Sequence, residues 1–199
     1  GPPVLVDFPR RCHPGAAADA GDIAAGRLGK PIAATLTYSG GAAHSAIHML
    51  DLFHTWWGAG WTPTPGGRAG DVALVTLRGG RDALTASFVD VAAVRYYVWE
   101  MHVWCERGKV ELSHSPEILE LSGLDGHPLY TSFQVLTQRA RFQMEHEPVL
   151  PRLMETLAGA IADPDAARAL LRREIESQMF SAEVLRCLET SESFEGRAR

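Results

Sequence analysis

The 199-residue sequence has only three cysteines, Cys12, Cys105 and Cys187. They are odd in number, far apart, and without a C-x-x-C spacing. That excludes a disulfide framework and a thiolate zinc site, and fits free thiols in a reducing cytoplasm. No apolar run approaches the length needed to span a bilayer. No charged start followed by an apolar stretch marks a secretory leader in Gly1–Cys12. Basic residues are not in excess: the formal charge is −5 and the pI near 5.9. Without a basic face, non-specific nucleic-acid binding is excluded. A G-x-G-x-x-G turn after a strand and a Walker A loop are both missing, so no nucleotide-binding unit is legible. The pairs Gly40-Gly41 and Gly79-Gly80 lack the required spacing. There is no initiator Met either. The opening Gly-Pro-Pro reads as a protease scar or an internal cut, so the chain is expected to be part of a longer product.

What is present is ordinary globular material. Hydrophobic residues make up 46%, enough for a core in a single domain covering residues 1–199. Val4–Phe8 reads as a strand. Pro14 opens a helix that Gly29 closes, weakened at Gly21 and Gly26. Pro31–Tyr38 alternates as a strand, Ala42–Trp57 has helical spacing, and the Pro- and Gly-rich stretch Ala59–Gly70 reads as a loop. Strands are expected at 71–77, 83–91, 96–105, 109–113, 117–121 and 130–136. Helices are expected at 151–161 and 165–188, with Asp163-Pro164-Asp165 supplying an N-cap between them. The fold class is α+β: an open, mostly antiparallel sheet of about six strands with helices packed on one face.

The richest chemistry lies in Ser39–Asp51. On one helix, His44 and His48 are four apart, and Asp51 is three beyond His48, so all share a face. An imidazole near neutral pKa trades protons at physiological pH, and a carboxylate one turn away fixes its tautomer. The same spacing also suits a structural pair holding a neighbouring loop. A zinc site lacks the Glu of H-E-x-x-H, since Ser45 and Ala46 follow His44. Arg10 and Arg11 close the first strand and suit an anionic or hydroxyl-rich ligand, or a solvated surface. Tyr96–Trp104 reads as an aromatic strand, large and apolar on both faces, with helices on one side and either another subunit or the same chain on the other.

Four stretches together resemble the second domain of the Gfo/Idh/MocA oxidoreductases, the glucose–fructose oxidoreductase and inositol dehydrogenase group. They are Val4–Pro14 with its Arg-Arg-x-x-Pro, Ile23–Pro31 with Gly-x-Leu-Gly, Ser39-Gly-Gly with His48-x-x-Asp51 and Gly58, and the tail Glu189–Gly196. The resemblance implies an NAD(P)-dependent oxidoreductase acting on a sugar, polyol or similar hydroxylated molecule. It makes this chain the substrate and oligomerisation domain, with the nucleotide-binding domain absent and hydride transfer beyond it alone. By position it makes His48 the catalytic acid/base and Asp51 its orienting carboxylate, with His44, Arg10, Arg11 and Tyr38 as substrate contacts. The chain binds no cofactor itself; NAD or NADP belongs to the full-length protein. A homodimer or higher homo-oligomer through the Tyr96–Trp104 face is expected, with no nucleic acid, membrane or metal. Many members carry Asp and Gly where this sequence has His44 and Ala46, which puts polyol-type chemistry in question. The alternative is a stand-alone, non-redox protein that uses the same pocket for proton transfer, isomerisation or binding. A third reading is a purely structural subunit that dimerises with a complete partner.

Overall fold

The computed structural model describes residues 8–79, 82–113, 117–144 and 149–191. The strand expected at Val4–Phe8 lies almost wholly outside the described residues, as does the tail beyond Ser191.

A 3-10 turn (Pro9–Cys12) leads into α1 (Pro14–Ala24). Then come β1 (Pro31–Tyr38), a π-helical turn (Ala42–Ala46) and α2 (Ile47–Trp57). Seven strands follow: β2 (Trp61–Ala69), β3 (Val72–Gly79), β4 (Asp82–Asp90), β5 (Trp99–Cys105), β6 (Gly108–Ser113), β7 (Ile118–Gly126) and β8 (Gln134–Gln143). Two helices close the chain, α3 (Val149–Ala162) and α4 (Pro164–Thr190). Asp163 caps α4 as its sequence position suggests, accepting from the Asp165 N–H at 2.9 Å. Helix α1 stops at Ala24, short of Gly29, because Gly26 already turns the chain with φ 68°.

All eight strands form one mixed sheet in the order β2-β3-β4-β1-β5-β6-β7-β8. This corrects the expectation of about six strands. Pairing is antiparallel except between β1 and β4, which run parallel. The strand missed from sequence is β2. Pro63 and Pro65 cannot donate to a ladder on both sides, so they mark a loop or an edge strand. Here β2 is the edge, with a register shift between Pro65 and Gly67.

Register explains the core. One row crosses seven strands as Ala73, Phe88, Leu36, Met101, Leu112, Leu119 and Phe142. All but Phe142 are buried, and the row faces the helices. Period-two alternation puts the next residues on the opposite face. There Thr35 aligns with His102, Glu111, Glu120 and Arg141. That face is polar, with Thr85 and Trp104 exposed. The expectation that Tyr96–Trp104 is large and apolar on both faces therefore needs correcting. Tyr96 and Tyr97 lie in a turn before β5, and the open face of β5 carries Glu100, His102 and Trp104. Trp104 stacks on His102 with ring centroids 5.9 Å apart, and the Lys109 ammonium lies 5.2 Å from its ring.

Candidate functional site

The site forms where β1 hands over to α2. Gly40 and Gly41 adopt φ 83° and 88°, a left-handed region that other residues enter at a cost. The chain then makes one π turn, in which the Ile47 N–H donates to Ala42 O, five residues back. Such single wide turns recur at functional sites. Hydrogen bonds pin it: the Ser45 hydroxyl donates to Ser39 O at 2.6 Å, and the Trp99 indole donates to Ser45 O at 2.8 Å.

This turn separates residues that ideal helical spacing puts on one face. His44 is exposed at the rim of a cavity. His48 is half-buried, edge-on to Phe8 with ring centroids 5.2 Å apart. Asp51 is buried on a third side, 1% exposed, against Arg11.

Arg11 joins three segments. Its Nη1 donates to Asp51 Oδ1 at 2.7 Å and its Nη2 to Glu174 Oε1 of α4 at 2.5 Å. Ser177 of α4 donates to the same Asp51 oxygen at 2.7 Å. Two carboxylates share one guanidinium, so Arg11 is held charged, its pKa raised against the cost of burial by Asp51 and Glu174. For Asp51, burial outweighs the pull of Arg11 and Ser177 and pushes its carboxyl above the usual range. The cluster ties the 3-10 turn, α2 and α4 together. Arg10 points elsewhere, its guanidinium 4.0 Å from the Trp99 ring centroid and paired with Glu117.

The cavity beside His44 holds about 470 Å³. Its polar lining comprises Tyr38, His44, Arg68, Asp71, Asp90 and Glu189. Parallel pairing of β1 with β4 puts Tyr38 beside Asp90. Burial and the nearby Asp90 push the Tyr38 phenol up to about 12, with Arg68 pulling the other way, so it stays protonated at neutral pH. Arg68 is anchored through its Nη2 to Leu188 O at 3.0 Å. The structure thus brings His44 and Tyr38 together on this cavity and Arg11 and Asp51 together in the core. Arg68, Asp90, Glu174 and Ser177 were not legible as site residues. The signal for two of them is on α4, where Leu170, Glu174, Ser177, Ser181, Val184 and Leu188 form the buried stripe. Polar residues at core positions of a helix need a partner.

A larger cavity, about 630 Å³, lies at the far end of the sheet among Arg27, Arg107 and Arg139. Its arginines are engaged within the chain: Arg27 with Asp22, Arg139 with Asp125 and Arg107 with Gly26 O. Among the described residues no group of three His, Cys, Asp or Glu side chains is placed to hold a metal. Nor do these residues fit a dinucleotide. The Gly40-Gly41 turn opens onto a cavity with three carboxylates against one guanidinium, which repels a pyrophosphate. No helix among the described residues is long and apolar enough to cross a membrane.

No protein-family model and no curated protein matches the sequence. Solved structures match the fold. An NAD-binding oxidoreductase from Klebsiella pneumoniae superposes with a TM-score of 0.65 at 12% identity, covering 94% of this chain and 64% of that one. An inositol dehydrogenase homolog from Azotobacter vinelandii, complexed with NADH and myo-inositol, gives 0.61 at 13% identity, covering 92% and 62%. An oxidoreductase from Sinorhizobium meliloti gives 0.59 at 16% identity, covering 92% and 61%. The chain therefore has the fold of Gfo/Idh/MocA-like oxidoreductases and spans less than two thirds of the length of those it matches.

Proposed function

We propose that this chain is the C-terminal, substrate-binding domain of an NAD(P)-dependent oxidoreductase acting on a sugar, polyol or similar hydroxylated small molecule. The observation that carries this reading is the placement of His44 on a polar cavity beside the helix that bears His48. In this reading the cavity holds the substrate by its hydroxyls, with Tyr38 and His44 as contacts. His48, four residues on from His44 but outside the lining of this cavity, takes the proton from a hydroxyl brought to it once the nucleotide domain completes the pocket, and Phe8 packs against it in a T-shaped contact. Asp51 acts by anchoring α2 through Arg11 and Ser177. Arg11 serves the substrate through that same anchor, and Arg10 packs on Trp99, whose indole holds the turn at Ser45. Hydride transfer is not a step these residues perform; the nucleotide comes from a separate domain.

The test is calorimetric titration of NADH and NADPH into this chain and into the native gene product, with turnover of polyols followed by absorbance. Only the native product is expected to bind nucleotide. His48→Ala in that product is expected to abolish turnover and leave nucleotide binding intact. Turnover that survives His48→Ala within tenfold sinks the assignment, since one positioned acid/base contributes about 10²–10⁴-fold. If the native product is this chain alone and binds no nucleotide, the non-redox alternative takes its place. The open sheet face around Trp104 is proposed as the contact between copies in a homo-oligomer, supported by the absence of a covering helix among the described residues.

A further inference from the structure

Helix α3 is apolar round more of its surface than the rest of the chain covers. Leu153 and Ala160 are buried, with Val149 and Leu157 half-buried beside them. One step round the helix, about 100°, Leu150, Met154, Ala158 and Ile161 form a second stripe. Leu150 is 63% exposed, Met154 55% and Ile161 69%. The charged residues of α3 are Arg152 and Glu155, and neither falls in this stripe. A surface helix ordinarily turns polar residues outward, so an exposed apolar stripe marks a contact with something else. The 3-10 turn Pro9–Cys12 packs against α3. Arg11 in that turn is fixed by Asp51 and Glu174. A domain joined ahead of the turn therefore starts from a fixed point beside α3. The solved structures that share the fold are longer, and this chain covers 61% to 64% of them. A short tether raises the effective concentration of a joined domain to about millimolar, so a modest apolar contact suffices to seat it.

We propose that the exposed stripe of α3, from Leu150 to Ile161, is the docking face for the protein's own nucleotide-binding domain. The proposal rests on the reading of this chain as the C-terminal domain of an oxidoreductase and adds where the other domain sits. The stripe carries no charge, so the patch that meets it is apolar as well.

Methionine oxidation reads the contact without altering the protein, since susceptibility follows exposure. The chain and the native gene product are treated with dilute hydrogen peroxide, and peptide mass spectrometry follows each methionine. In the chain, Met154 is expected to react as fast as exposed Met179, with buried Met49 and Met101 slowest. In a native product that carries the nucleotide domain, Met154 is expected to react about tenfold or more slowly than in the chain. Ile161→Glu sets a charge in the stripe. It is expected to restore Met154 oxidation in that product and to leave the chain's own urea midpoint unchanged. Met154 reacting equally fast in both proteins overturns the docking face and leaves the two-domain reading standing. Met154 already slow in the isolated chain also overturns it, since this chain or a second copy then covers the stripe. A native product no longer than this chain removes both.

Discussion

Replacing Arg11 by methionine is expected to be among the most damaging single changes in this protein. The side chains of Arg11, Asp51 and Glu174 are 2%, 1% and 3% exposed. Removing the cation leaves two carboxylates in a place that water does not reach. Breaking a buried pair by deleting one partner costs about 3–5 kcal/mol. Asp51 keeps the Ser177 hydroxyl at 2.7 Å, and Glu174 keeps Arg173 at 3.4 Å, so the two losses do not simply double. Asp51→Asn is milder. It preserves an acceptor for Arg11 and Ser177 and places an amide where Asp51 Oδ2 is buried without a partner, costing about 1–3 kcal/mol. The pH dependence follows from the same geometry. Without Arg11, the Asp51 carboxyl, which burial already raises in the parent, rises further above its unfolded value of about 3.9. The native state then holds protons that the unfolded chain has released, so stability falls as pH rises from about 4. Urea denaturation of both variants at acid and at alkaline pH reads this directly, provided the m-values match the parent. An Arg11→Met loss no larger than that of Asp51→Asn, or equal losses at both pH values, refutes the reasoning.

Other outcomes are equally specific. In the parent, burial raises the Asp51 pKa, so its share of stability is greatest in acid and declines as pH rises through that native value; Asp51→Asn should flatten this slope in a pH series of urea midpoints. Gly108→Ala puts a Cβ 2.3 Å from Ser122 O and 2.4 Å from Leu28 Cδ2, so overpacking should cost about 1–3 kcal/mol by urea denaturation. Leu112→Ala, at a fully buried position in the sheet row, should cost about 2–5 kcal/mol in the same assay. Trp104→Glu should leave the monomer's melting temperature unchanged and, if copies meet on the open sheet face, shift sedimentation toward monomer; an unshifted oligomer removes that face from consideration.

Much of the fold was legible because its elements carry strong periods. Pro31–Tyr38 alternates and Ala42–Trp57 repeats at helical spacing, and both appear where expected. The edge strand β2 was hidden by Pro63, Pro65 and Gly66, which mark a loop unless the strand has a neighbour on one side only. Edge position is a property of the sheet, not of the segment. The site divided the same way. His44, His48, Asp51 and Arg11 could be named from local pattern, but their directions could not, because ideal spacing does not anticipate the π turn at Ala42–Ala46. Asp90 reaches the cavity through the parallel β1–β4 pairing, which joins segments more than forty residues apart in the sequence, and Arg68 reaches it from the edge strand β2, held to Leu188 O of α4. Glu174 and Ser177 did leave a trace, as polar residues on the apolar stripe of α4.

The parallel β1–β4 pair also bears on how the chain reaches this structure. Strands β2 to β4 and β5 to β8 are two runs of sequential neighbours, each able to close locally through short connections. Strand β1 is made first, yet it is the seam between them. It must wait for β4 on one side and β5 on the other, and closing those long loops is the slow, entropically expensive step. Until then its inward residues, Ala34, Leu36 and Tyr38, have no ladder on either side. Changes at Leu36 are thus expected to retard folding itself. Changes in β8, at the far edge, mostly hasten unfolding.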